Sequence, residues 1–137
     1  MLISTKGRYA LQIMADLAQH NDGQYVVLMD VAQRQKISEK YLESIIAQLS
    51  RSGLLLAQRG RGGGYRLARE PEEYSVGSIV RAAEGSIAPV SCLTPDGGAC
   101  PDASNCLTLP VWQELDRRMN EYLDGITLSD LIHGTVT

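Results

Sequence analysis

Residues 28–67 read LMDVAQRQKISEKYLESIIAQLSRSGLLLAQRGRGGGYRL. The stretch opens as a short helix over Leu28–Gln35 with Leu28, Val31 and Ala32 facing inward. Gln35-Lys36-Ile37 forms a turn, and Ser38 is a good N-cap for a second helix. Over Glu39–Arg51, Leu42, Ile45, Ile46 and Leu49 recur at i, i+3, i+4 and i+7, which makes one buried stripe. Lys40, Ser44, Ala47 and Arg51 lie opposite that stripe, flanked by Glu43 and Gln48. Gly53 ends the helix as C-terminal glycines do. Residues 54–58 and 64–68 then alternate as two strands around the tip Arg59-Gly60-Arg61-Gly62-Gly63. A phosphate-binding P-loop would need Gly-Lys-Ser/Thr and a following helix, and neither is present. Helix, turn, helix and glycine-tipped ribbon in that order make a winged helix-turn-helix, a module that lays its second helix in the DNA major groove.

The flanks fit around this reader. A first helix is expected over Thr5–Gln19, capped by Ser4 or Thr5, with Tyr9, Ala10, Ile13, Met14, Leu17 and Ala18 on one stripe. Asn21-Asp22-Gly23 stops it, and Tyr25-Val26-Val27 suggests a short strand. After the ribbon, Ser75 caps a helix that runs to Glu84 and buries Ile79, Val80 and Ala83. Residues 86–107 are loop-like. A long helix follows from 108 or 109 to 123, with Pro110 tolerated in its first turn. Its apolar residues Trp112, Leu115, Met119 and Tyr122, continued by Ile126, step by three or four, as in a seam that packs another helix. Thr127 and Asp130 form a capping box for a last short helix. The expected fold is mostly α with a small β-wing. A reader over 1–85, a cysteine-containing loop over 86–107 and a dimerisation arm over 108–137 make up the chain.

The 137 residues suffice for one real core or a small domain with an arm. With six Tyr, one Trp and no Phe, that core must be mostly aliphatic. No apolar run reaches membrane-spanning length, and the start lacks a secretory h-region, so a cytoplasmic protein is expected. The net charge of −3 is unevenly placed. Residues 1–70 carry ten Lys/Arg against six Asp/Glu, whereas 71–137 carry three against ten. A basic reader joined to an acidic arm has this asymmetry. No base–nucleophile constellation supports an enzyme.

A recognition helix contacts base edges through its N-terminal residues. Here those are Ser38, Glu39, Lys40, Tyr41, Glu43 and Ser44. Lys40 can reach phosphate or guanine. Glu43 can accept from cytosine N4 but repels phosphate, so it trades affinity for discrimination. Arg51 and the wing residues Arg59, Gly60, Arg61 and Tyr65 complete the expected surface. Arg59 suits a narrow minor groove and Arg61 a phosphate. Cys92, Cys100 and Cys106, spaced C-x7-C-x5-C, are soft donors suited to an iron–sulfur cluster or zinc. Redox-sensing thiols and inert cysteines are the alternatives from spacing alone.

Taken together, Ser4-Thr5-Lys6-Gly7-Arg8-Tyr9-Ala10, Ile37-Ser38-Glu39-Lys40-Tyr41-Leu42-Glu43, Gly53-Leu54, Arg59-Gly60-Arg61-Gly62-Gly63-Gly64-Tyr65, Cys106-Leu107-Thr108, Trp112 and Ile126-Thr127-Leu128 span nearly the whole chain. This set resembles the IscR/NsrR/CymR-like family of winged helix-turn-helix transcriptional regulators. The resemblance implies a homodimer crossed by the long helix and double-stranded DNA as partner, with a near-palindromic operator. It also implies one cluster-binding loop per subunit, with a [2Fe–2S] cluster on Cys92, Cys100 and Cys106 that sets DNA affinity. Cluster-assembly or sulfur-metabolism genes are the implied targets. A cluster-free repressor of cysteine metabolism is the alternative within the family. IscR-like members add a histidine three residues after the last cysteine, where this chain has Leu109. Others take a ligand from the partner's first helix, near the positions of Arg8 and Gln12 here. Asp96, Asp102, Glu43, a histidine or an exogenous thiol remain candidates for the fourth ligand.

Overall fold

The first helix, α1 (Thr5–Gln19), is the spine against which the other elements pack. The computed structural model describes residues 3–94 and 103–137. Ala10, Ile13, Met14 and Leu17 of α1 are at most 1% exposed. They meet α2 (Leu28–Gln35), α3 (Glu39–Arg51), α4 (Val76–Glu84) and α6 (Leu128–His133). Burial of Ile13, Met14 and Leu17 contributes roughly 1.5–3 kcal/mol each. The long α5 (Leu109–Asp124) meets α4, and none of its residues is buried.

Among the described residues, one carboxylate is buried within this apolar core. Asp16 of α1 is 2% exposed and accepts from Arg34 Nε at 3.0 Å, Arg34 Nη2 at 2.7 Å and Gln35 Nε2 at 2.8 Å. The fork of Arg34 matches a carboxylate bidentately, which gives orientation as well as energy. Because Arg34 and Gln35 close α2, this contact fixes how the helix-turn-helix hangs on α1. The turn itself is made by Lys36 at φ 56°, a left-handed conformation uncommon for a residue with a Cβ. Ile37 anchors it by burial and by donating to Ala32 O at 3.1 Å.

The N-terminus of α1 is capped from across the fold. Ser4 takes the N-cap position, but its hydroxyl donates to Glu84 Oε1 at 2.6 Å instead of accepting from its own helix. The same oxygen accepts from Ser4 N at 2.8 Å and Gly7 N at 2.9 Å. A carboxylate suits the electropositive end of a helix. A Cβ at position 7 would overlap that oxygen, so a larger residue there would push the Glu84 carboxylate off the cap.

The two strands of the ribbon, β1 (Leu55–Gln58) and β2 (Gly64–Leu67), are antiparallel with Leu55 opposite Leu67 and Gln58 opposite Gly64. The strand expected at Tyr25-Val26-Val27 shrinks to one bridge, Val26 with Tyr65. It cannot lengthen because Val27 already serves as the N-cap of α2. Ser75 and Thr127 cap α4 and α6 as expected, and Thr127 with Asp130 closes the capping box. Ile126 lies beyond α5 and is buried with Val76, Val80 and Ile87. It therefore belongs to the core of the single chain. Leu115 and Tyr122 of the α5 seam are exposed, at 41% and 55%.

Burial alone pushes the Asp16 carboxyl up, but bonds from Arg34 and Gln35 and the charges of Arg34 and His20 outweigh it. The group therefore lies below its ordinary value of 3.8. With the folded value depressed, its stabilisation is complete above that ordinary value and is lost as pH falls through the folded one. Asp16→Ala should cost about 3 kcal/mol near neutrality, read from urea midpoints. The gap between wild type and variant should narrow only in acid below about pH 4. A gap that is absent at neutral pH would mean Asp16 does not hold α2.

Candidate nucleic-acid interface

The helix-turn-helix places α3 with its apolar stripe inward: Leu42, Ile45, Ile46 and Leu49 are fully buried. Ser38 caps α3 by accepting from Tyr41 N at 3.3 Å. Glu39, Lys40, Glu43, Ser44 and Arg51 are all exposed, as a groove-entering surface requires. Tyr41 is also exposed, and its ring meets Tyr9 of α1 edge-on at 5.7 Å. That contact steadies the first turn of the recognition helix. Gln48 does not flank the outer face as its helical position suggests. Its Nε2 donates to Ala82 O at 2.8 Å and Ala83 O at 3.1 Å, tying α3 to the end of α4.

The wing brings Arg59, Gly60 and Arg61 to an exposed tip. The tip turns on Gly63 N donating to Gly60 O at 3.0 Å. At Gly64, φ is 146° and a Cβ would strike Val26 O, so the wing approaches Val26 only because the residue is glycine. Tyr65 is half-buried, and its backbone pairs with Val26 at 2.9 Å and 2.8 Å. The five arginines of residues 51–69 are of two kinds. Arg66 donates to Gly23 O at 3.0 Å and lies over the Tyr25 ring, while Arg69 lies over the Tyr74 ring. Arg51, Arg59 and Arg61 enter no salt bridge among the described residues.

The root of the wing is held by Tyr74, which is 1% exposed. Its hydroxyl donates to Leu54 O at 2.7 Å and accepts from Ala68 N at 2.9 Å and Arg69 N at 3.1 Å. One phenol therefore joins the chain entering the ribbon to the chain leaving it.

Beyond Gly85 the chain runs into the cysteine loop. Cys92 lies half-buried in a single turn, Ser91–Leu93. Cys106 is half-buried between the turn Ala103–Asn105 and α5, with Sγ 3.5 Å from Thr108 Oγ1. Cys100, Asp96 and Asp102 lie outside the described residues. Among the described residues, no three His, Cys, Asp or Glu side chains gather as a metal site. The donor chemistry still fits a cluster, since half-buried cysteines sit on both sides of the loop. Leu109 opens α5 and offers no lone pair, so position 109 supplies no fourth ligand.

A family model for iron-dependent transcriptional regulators, Rrf2, matches residues 3–134. The chain belongs to the Rrf2 family. The IscR regulator of Aliivibrio salmonicida strain LFI1238 is 39% identical over 132 residues, 96% of this chain and 77% of that protein. The solved structure of T. potens IscR is 40% identical with a TM-score of 0.78, covering 98% of this chain and 88% of that one. CymR (YrzC), described as the global cysteine regulator of B. subtilis, is 37% identical with a TM-score of 0.79, covering 98% of both chains. This Rrf2 protein is thus a winged-helix, DNA-binding transcriptional regulator and not an enzyme. No helix among its described residues is long and apolar enough to cross a membrane.

Sequence reading missed Asp16, Glu84 and Tyr74 because each works on partners distant in sequence. Tyr74→Phe keeps the ring and deletes the three hydrogen bonds. It should lower stability by about 1–3 kcal/mol in urea unfolding. An unchanged midpoint would remove Tyr74 as the anchor of the wing.

Proposed function

We propose that this Rrf2 regulator is a homodimer that reads a near-palindromic operator and senses iron–sulfur or redox status through Cys92, Cys100 and Cys106. Cluster-assembly genes are the proposed targets. The observation that supports it is where the described ends of the cysteine loop join the fold. The loop leaves α4, which packs on α1 and α3, and returns into α5, whose Val111, Leu115 and Tyr122 are exposed. An input there touches both the reader and the surface that a second copy would cover. On the polar part of α5, Arg117 and Arg118 pair with Glu114, so charged and apolar residues share one arm. Two copies joined along α5 present two recognition helices, which is the symmetry a two-half-site operator requires.

On DNA, Ser38, Glu39, Lys40, Tyr41, Glu43 and Ser44 face the major groove. Lys40 reaches phosphate or guanine, and Glu43 accepts from cytosine N4. Arg51 lies at the far end of the same helix and grips the backbone. Arg59 enters the minor groove, Arg61 grips phosphate, and Gly60 lets the backbone come close, with Tyr65 behind the tip. Cys92, Cys100 and Cys106 would hold a [2Fe–2S] cluster, one per subunit, with the fourth ligand supplied from outside position 109. Such a cluster supplies a redox-active, labile group whose loss leaves reactive thiols. The similarity to IscR proteins supports this assignment.

A second reading is a cluster-free thiol-sensing repressor of cysteine metabolism. The likeness to CymR over 98% of both chains favours it, as does Leu109. Anaerobic reconstitution with iron and sulfide separates the two. Brown protein whose visible absorbance disappears in Cys92→Ala is expected, and colourless protein would leave the thiol reading.

For the DNA face, Arg61→Ala should weaken binding to all duplexes and reduce the log–log salt slope by about one. A slope equal to that of wild type would take Arg61 off phosphate.

A further inference from the structure

We propose that Gln48 is the positioning residue through which the cysteine loop sets the pose of the recognition helix. The inference rests on the sensing function proposed above and names its route. The last turn of α4 is where three connections meet. The carbonyls of Ala82 and Ala83 belong to the final turn of a helix, where no intrahelical N–H is left for them. Gln48 of α3 supplies the missing donor, with one amide nitrogen serving both oxygens at 2.8 Å and 3.1 Å. Among the described residues these are the only side-chain hydrogen bonds from α3 to α4. Glu84 in the same turn caps α1.

The cysteine loop leaves from that turn, and α5, into which the loop returns, is tied to it. On the leading side, Gly85 closes α4 through its N–H to Arg81 O at 2.8 Å. Ser86 Oγ then accepts from Ala88 N at 3.2 Å, and Ile87 and Ala88 are buried at 2% and 8% exposure. Cys92 follows four residues later. On the returning side, Arg81 of α4 donates to Asn120 Oδ1 at 2.8 Å and pairs with Asp124 at 2.5 Å, both on α5. Any rearrangement of the loop that moves Ile87 or α5 therefore acts on the carbonyls that Gln48 holds. Gln48 lies one helical turn beyond Ser44, so tilting α3 about it displaces Ser44 and Glu43 on the outer face. The link depends on a donor. A side chain of equal size without N–H would fill the space and leave the carbonyls unserved.

The test compares DNA affinity between loop states. The probe is a duplex selected on the wild-type protein from a random-sequence library, and affinity is read by fluorescence anisotropy. One pair of states is anaerobically iron–sulfide-loaded against apo protein. A second, cluster-independent pair is reduced apo protein against iodoacetamide-alkylated apo protein. Coupling between two sites commonly amounts to roughly 5–150-fold in affinity. Gln48→Glu and Gln48→Met should bring the wild-type ratio to within about twofold of one, with cooperative thermal unfolding retained. Gln48→Lys, which keeps donors for both carbonyls, should preserve the ratio. A wild-type ratio that survives in both Gln48→Glu and Gln48→Met overturns the role of Gln48 while leaving the sensing function standing. Equal loss in Gln48→Lys and Gln48→Met overturns the donor argument. A wild-type protein with one affinity in every state overturns the sensing function itself, and the coupling with it.

Discussion

The buried Asp16–Arg34 contact is the constraint on which the reader depends. A carboxylate at 2% exposure inside an aliphatic core would be costly alone. It is tolerated because three donors from α2 converge on it, and their convergence leaves α2 one orientation on α1. The turn at Lys36 then passes that orientation to α3. Hydrophobic burial could hold these helices together in several registers, whereas a bidentate fork cannot slide by a residue. The pair thus contributes specificity of arrangement more than raw stability.

The elements were largely legible in the sequence, and the links between them were not. The stripe Leu42, Ile45, Ile46 and Leu49 and the cap at Ser38 are local patterns, so α3 was readable to its ends. The wing was readable from glycine spacing. Gln48 was misplaced because a helical wheel shows direction and not what waits there. Arg66 and Arg69 add to the basic charge of residues 1–70, although Tyr25 and Tyr74 already hold them. Their charge is real but their side chains are committed. Ile126 fitted the seam by period alone, and the end of α5 at Asp124 is what turns it into the core.

Membership in the Rrf2 family gives the chain a winged-helix regulator's task, and its own residues give the details. Three connections converge on the last turn of α4: a cap for α1, a tie to α3 and a salt bridge to α5. A short helix of nine residues could not be stable by itself in water. Its stability comes from those neighbours, which makes it sensitive to all of them. Sensitivity of that kind is what a regulator needs between a loop that changes and a helix that reads.

The cap at the start of α1 has a practical side. Ser4 N and Gly7 N both donate to Glu84, so the start of α1 is bound to the junction that α3 and α5 share. Any load applied to the chain just ahead of Ser4 would therefore pull on that junction directly. A load applied through the exposed residues that follow α6 would leave it alone.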